Sequence, residues 1–350
     1  MSRFLNEQYR ALEPYTPGEQ PQDMKYVKLN TNESPYPPSP AVIEAAAREA
    51  GRLQLYCDPT AGRLRDAIAA LHNVQRENVY VANGSDDILY FAFMAFAGDG
   101  TYFPDISYGF YRVYCDLLGA EYAQIPLKDD FSIDPADYMG LDGMIAIANP
   151  NAPTGRALGR DAIESIVRAN PNHVVLVDEA YVDFGGESCV NLTAKYDNLL
   201  VVQTFSKSRS MAGARLGFAI ASEGLIDDLM RIKFSTNPYD INRMTQACGA
   251  AAIADNDYYM HNCRKIEAAR AETTARLEAL GFTVIPSKAN FIFAKSDRID
   301  GGALYAELKR RGVLVRHFTA ERIRDYNRIT IGTPEQMDVL IEQIRQILEA

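Results

Sequence analysis

"NLLVVQTFSKSRSMAGARLGFAIAS" occupies residues 198–222. Its two apolar runs, 198–206 and 215–222, read as buried strands. Between them is a loop of small residues, with Lys207 flanked by Ser206 and Ser208 and with Arg215 following. Lysines usually sit on solvated surfaces. One placed among serines and glycines at the end of a buried strand asks for a chemical reason.

Outward from this stretch the same pattern repeats. "NVYVAN" (78–83), "GMIAIANP" (143–150) and "HVVLVDEAY" (173–181) read as strands, and "SDDILYFAFMAFAG" (85–98) and "GRDAIESIVRAN" (159–170) as helices. Short apolar runs ending in polar residues and separated by helices predict a mainly parallel α/β sheet. Prolines crowd residues 1–40, which predicts an extended arm. A helix should begin near Ala41, with Ser39 as N-cap, Pro40 at the first helical position and Gly51 as the stop.

Past residue 240 the texture changes. A long helical stretch (258–281) precedes "FTVIPSKANFIFAK" (282–295), which reads as two strands. The helix "GALYAELKRRG" and the strands "VLVRHF" and "NRITIG" follow. In the final helix Thr333 and Gln336 have capping-box spacing. The expected division is an arm (1–40), a large α/β domain (41–240) and a small α+β domain (241–350).

Of the 350 residues 47% are hydrophobic, and the formal net charge is −10. That charge argues against nonspecific nucleic-acid binding. The five cysteines are scattered without metal-ligand spacing, so no metal is expected and reduced thiols in a cytoplasmic protein are. No run approaches the roughly 20 apolar residues of a membrane span, and the N-terminus has no signal-peptide core.

Ligands of such sheets bind beyond the carboxyl ends of the strands. Gly84-Ser85-Asp86 follows one strand and opens a helix, an anion site by its free N–H groups. Asn151 follows a second strand in "NPNAPTG"; Asp178 and Tyr181 end a third; Ser206 and Lys207 end a fourth. Each has an ordinary reading: an N-cap, a turn, a capping acid, a core tyrosine. Together they supply what a phosphorylated aromatic cofactor with a basic ring nitrogen needs. Pyridoxal phosphate forms a Schiff base with a lysine, an acid keeps its ring nitrogen protonated, and its phosphate takes donors.

In "LNTNESPYPPSP", "YCDPTAGRLRDAIA", "NGSDD", "NPNAPTG", "VDEAYVDF", "FSKSRSMAGARLGF", "LVRHF" and "RITIGT", in this order, the chain resembles the fold-type I aminotransferases, and among them the histidinol-phosphate aminotransferases. The resemblance spans nearly the whole chain. It implies a large domain on a mainly parallel seven-stranded sheet, a smaller C-terminal α+β domain, pyridoxal 5'-phosphate as cofactor, and a homodimer.

Residue by residue, the resemblance makes Lys207 the Schiff-base lysine and Asp178 the partner of the ring nitrogen. Asn151 and Tyr181 are then the donors to the ring oxygen, and Tyr108 the aromatic residue stacked on the ring. Ser85, Asp86, Ser206 and Arg215 hold the phosphate, and Tyr56 reaches the phosphate of the partner subunit. Arg316 and Arg328 bind the substrate phosphate and the carboxylates of glutamate, with the arm's Tyr15 near them.

One departure from the family is Asp240 in "NPYDIN", where an asparagine is expected, and it implies an extra acid near the substrate. The implied reaction is ping-pong transfer of an amino group between L-histidinol phosphate and 2-oxoglutarate. Alternatives on the same scaffold are an aromatic amino-acid aminotransferase and a threonine-phosphate decarboxylase. A non-catalytic cofactor-binding regulator conflicts with the intact Lys207 and Asp178. A nicotinamide dehydrogenase conflicts with the lack of a complete G-x-G-x-x-G after a strand.

Overall fold

A computed structural model describes residues 2–13 and 15–349. From the N-terminus the arm runs to strand β1 (Val27–Lys28), followed by helices α1 (Pro40–Ala50) and α2 (Gly62–His72). Strands and helices then alternate: β2 (Val79–Ala82), α3 (Ser85–Phe96), β3 (Thr101–Pro104), α4 (Phe110–Leu118), β4 (Tyr122–Ile125), β5 (Met144–Ala148), α5 (Arg160–Ala169), β6 (Val175–Asp178), β7 (Leu199–Thr204) and β8 (Gly217–Ile220). Helices α6 (Glu223–Thr236), α7 (Arg243–Ala254) and α8 (Asn256–Ala279) lead to β9 (Phe282–Ile285) and β10 (Phe291–Ser296). The chain closes with α9 (Gly301–Arg310), β11 (Val313–Leu314), β12 (Arg316–His317), β13 (Asn327–Thr330) and α10 (Pro334–Glu349).

The large sheet has seven strands in the order β2-β8-β7-β6-β5-β3-β4. From β4 through β7 every pairing is parallel, and β8 runs antiparallel to both its neighbours. The central parallel strands β5, β6 and β7 are buried throughout, as helices on both faces require. All their carboxyl ends therefore point to one edge. A second, antiparallel sheet has the order β12-β13-β10-β9, with α8, α9 and α10 supplying much of its apolar cover.

Where the sequence reading was strongest, the elements stand as expected. Pro40 opens α1, although Ser39 makes no side-chain cap bond. Thr333 and Gln336 exchange the capping-box bonds at 2.9 and 3.4 Å. Strands β3 and β4 were not anticipated; β4 is a half-exposed edge with little apolar signal.

The expected strand "VLVRHF" divides in two. Its first half, β11, pairs in parallel with β1 of the arm, and its second half, β12, pairs with β13. The arm is thus tied into the C-terminal part of the chain, a long-range pairing that no local pattern encodes. Helix α7 lies past the expected boundary at 240 but packs against α1 and α2 in the core of the large sheet.

Asp240 is placed differently from the expectation. Its carboxylate lies 2.8 Å from Lys233 Nζ, with both side chains almost fully buried, and it lines neither of the cavities described below. The extra acid is neutralised by Lys233 instead of facing either cavity. A buried pair of this kind is costly to break because the surviving charge has no solvent. Lys233→Met should lower the unfolding free energy by about 3 kcal/mol or more, read by urea denaturation. Adding Asp240→Asn should restore more than half of that loss; a double variant as unstable as the single one would show that the pair is not what matters there.

Candidate active site

Parallel strands deliver side chains to a common edge, and here four segments do so. Strand β6 ends at Asp178, β7 leads into Ser206 and Lys207, β2 leads through Gly84 into α3, and β5 leads into the Asn149–Gly155 loop. They enclose a cavity of about 180 Å³ whose walls include Ser85, Asp86, Tyr108, Asp178, Tyr181, Ser206, Lys207 and Arg215.

Asp178 is the floor. It is 5% exposed, its Oδ2 accepts from the Tyr111 hydroxyl at 3.0 Å, and its Oδ1 accepts from the Ala180 N–H at 3.2 Å. Burial raises its carboxyl to about 6, against the lowering effect of these two bonds. Among the described residues it forms no ion pair, although it lines an open cavity. Its neighbour Glu179 takes the opposite direction along the strand. It accepts from the Cys189 N–H, Ser188 and Gln203, which ties down the following loop.

One wall is an anion cradle. Gly84 has φ +89°, and a Cβ there would lie 2.6 Å from Arg215 Nη2; a Cβ on Gly217 would lie 2.4 Å from the Ser85 nitrogen. Only glycine permits either approach. Arg215, itself left-handed at φ 53°, reaches Asp86 at 2.8 Å and Ser206 Oγ at 3.5 Å. Tyr108 donates to the other oxygen of Asp86 at 2.7 Å, and its phenol is pushed up, chiefly by burial and then by the charge of Asp86. The α3 N-terminus, Ser206 and Arg215 thus converge on one end of the cavity.

Lys207 stands opposite, its Nζ donating to the Thr31 carbonyl at 3.2 Å and lying 5.8 Å from the centre of the Tyr181 ring. The Tyr181 hydroxyl accepts from Asn32 Nδ2 at 3.0 Å, which leaves the phenolic hydrogen free for the cavity. Thr31 and Asn32 lie in a segment whose residues the resemblance quoted without giving them roles. Asn32 has φ 57°, a conformation asparagine tolerates, but nothing local in the sequence announces that its amide meets a tyrosine far along the chain.

Asn151 is placed differently from the expectation. It is buried but does not line the cavity. Its amide donates to the Ile106 carbonyl and Thr154 at 2.9 and 3.0 Å, and its oxygen accepts from Ser107 at 2.8 Å. Its neighbours Pro150 and Ala152 form the wall.

A second cavity, of about 380 Å³, adjoins the first and shares Tyr108, Tyr181 and Lys207 with it. Arg316, Arg328 and Tyr15 line its far side. The two arginines are direct register partners across β12 and β13. Like charges placed so are unfavourable on their own. Arg316 is held by the Thr16 and Pro17 carbonyls at 3.1 and 3.2 Å. Arg328 donates to the Asn30 carbonyl at 3.0 Å, its Nε is buried without a partner among the described residues, and burial lowers its pKa. Two facing guanidiniums and an unpartnered Nε among the described residues are a donor set that an anion would satisfy. Tyr15 packs on Phe110 with ring centres 4.4 Å apart. Tyr56 does not reach either cavity within the chain; it is 81% exposed and lies against Tyr239.

The fit to pyridoxal phosphate can be judged from these donors. An anion cradle, an amine, a free phenol hydrogen and a buried carboxylate without a paired cation among the described residues line one cavity, and they match a phosphate, an aldehyde, a ring oxygen and a cationic ring nitrogen. Comparison with known proteins agrees. The chain is 51% identical to a histidinol-phosphate aminotransferase of Brachyspira hyodysenteriae, over the full length of both. The fold matches a histidinol-phosphate aminotransferase of Sinorhizobium meliloti solved with pyridoxal-5'-phosphate, at TM-score 0.91 and 22% identity over 100% of this chain and 98% of that one. It also matches an L-threonine-O-3-phosphate decarboxylase of Porphyromonas gingivalis, at TM-score 0.80 and 22% identity over 92% of this chain and 99% of that one. At such identities these two likenesses speak to fold alone. The sequence model described as "Aminotransferase class I and II" matches residues 24–344, and the chain belongs to that family.

Proposed function

We propose that this chain is a histidinol-phosphate transaminase of histidine biosynthesis. It moves an amino group between L-histidinol phosphate and 2-oxoglutarate, giving imidazole-acetol phosphate and L-glutamate. The observation that carries the substrate assignment is the facing pair Arg316 and Arg328 in a cavity that opens onto Lys207. The relative at 51% identity bears the same name.

Bound in the first cavity, pyridoxal phosphate supplies an aldehyde for the amine and a cationic ring that withdraws electrons from the substrate Cα. The protein's residues do the rest. Ser85 and Asp86 at the α3 N-terminus, with Ser206 and Arg215, hold the cofactor phosphate. Asp178 keeps the proton on the ring nitrogen. Tyr181 donates to the ring oxygen with the hydrogen that Asn32 leaves free. Tyr108 flanks the ring. Asn151 acts from behind the wall by fixing Ser107 and the loop; a direct bond to the ring oxygen would require its amide to release Ile106 or Thr154.

Lys207 Nζ would hold the cofactor until substrate arrives, and its free amine would then accept the proton from the substrate Cα. Arg316 and Arg328 clamp the substrate phosphate, then the carboxylates of glutamate and 2-oxoglutarate, because bidentate guanidinium geometry suits both anions. Tyr15 closes the arm side of that cavity. Tyr56, exposed on a single chain beside exposed Leu53 and Leu55, completes the phosphate site of a second copy in a homodimer. No described helix is long and apolar enough to cross a membrane, and we place the enzyme in the cytoplasm.

Purified protein should be yellow, and borohydride should fix the cofactor on Lys207, as read by peptide mass. Protein that stays colourless with added pyridoxal phosphate would refute the assignment. Arg316→Ala should lower kcat/KM for histidinol phosphate on the order of 100-fold and kcat/KM for phenylalanine far less, since its single carboxylate is left to Arg328. Equal losses would favour an aromatic aminotransferase, and release of CO₂ from threonine phosphate a decarboxylase. Mixing inactive Lys207→Ala and Tyr56→Ala chains should restore activity, because a mixed dimer then holds one intact site; no recovery would place Tyr56 within its own subunit's site or outside any.

A further inference from the structure

We infer that Tyr111 is a positioning residue for this reaction, its hydroxyl holding the Asp178 carboxylate ionised and aimed at the cofactor ring nitrogen. The inference rests on the function proposed above and adds a residue that it does not include.

The geometry is specific. Tyr111 is fully buried at the start of α4, and its hydroxyl donates to Asp178 Oδ2 at 3.0 Å. With Ala180 N–H on Oδ1, each carboxylate oxygen has one protein donor among the described residues, and Asp178 lines the cavity. The Tyr111 ring is fixed by Phe93 and Phe103, at 5.9 and 5.8 Å between centres. It stands edge-on to Tyr108 at 5.8 Å and 85°. One side chain therefore braces both the acid beneath the proposed ring and the aromatic residue beside it.

A phenol in this position is a permanent donor. Burial and the neighbouring carboxylate push it well above its usual range, so it does not ionise. The other charged or titratable groups acting on the pair are Asp86 and Lys207 on Asp178, and Tyr114 and Tyr181 on Tyr111. A donor to the charged form of a buried acid favours that form. Without it the proton shared between Asp178 and the ring nitrogen shifts toward Asp178, the ring loses positive charge, and the nitrogen contributed by Lys207 keeps its proton to higher pH.

Tyr111→Phe keeps the ring and its packing. In the holoenzyme it should raise the pH midpoint of the cofactor's absorbance change by about one unit. It should also lower kcat roughly tenfold and leave KM within about twofold. In an Asp178→Asn background the same substitution should leave the midpoint unmoved. 3-Fluorotyrosine at position 111, a stronger donor, should shift the midpoint down, and it carries the test if Tyr111→Phe does not fold. A wild-type midpoint and kcat in Tyr111→Phe, a shift that persists beside Asp178→Asn, or no downward shift with fluorotyrosine would each overturn the inference. Wild-type protein that binds no cofactor would instead refute the function on which it rests.

Discussion

Asp178 brings a carboxylate to the floor of a cavity at the carboxyl edge of the large sheet, and no cation among the described residues pairs with it. Taking a charge out of water costs several kcal/mol even after relaxation. Two hydrogen bonds offset part of that cost, yet burial still holds the group at about 6. An acid in this state is poised for a cationic ligand. The rest of the site is arranged around that requirement, with the Lys207 amine anchored to a backbone carbonyl across the cavity instead of neutralising the acid.

The parallel sheet makes the arrangement possible. Strands β5, β6 and β7 run in register, so Ala148, Asp178 and Val202 lie side by side and the chain leaves all three strands at the same edge. Two glycines then let backbone and guanidinium approach closely enough to form the anion cradle. The second cavity depends on a different tie. Residues 30–32 run between Lys207, Tyr181 and the antiparallel sheet, joining Arg328 and Thr330 to the first cavity through main-chain and amide bonds. That segment is why the two cavities share a wall, and why cross-strand repulsion between Arg316 and Arg328 is held in place for an anion to relieve.

Much of this was legible in the residues. Strand ends show as apolar runs stopping at Asp178, Ser206 or Asn83, and the rule that ligands gather there needs no coordinates. The pairing of β11 with the arm was not legible, because a two-residue bridge between distant segments has no period of its own. Asp240 invited a wrong placement for a similar reason: its neutralising partner, Lys233, is on a helix where a lysine is expected to be solvated. Asn151 kept its place in the loop, but the direction of its amide depends, besides nearby Thr154, on Ile106 and Ser107, which only packing brings near.

By itself the sequence carried the alternating α/β order, through local pattern, and the family likeness, which in turn implied roles for the lysine, the acid and the two arginines. Tertiary structure decided which of these groups face one another. It set Tyr111 under Asp178, Asn32 on Tyr181, and Asn151 behind the wall instead of in it. Those relations join residues tens to hundreds of positions apart, and their geometry depends on how buried surfaces close against each other, which no short window of sequence contains.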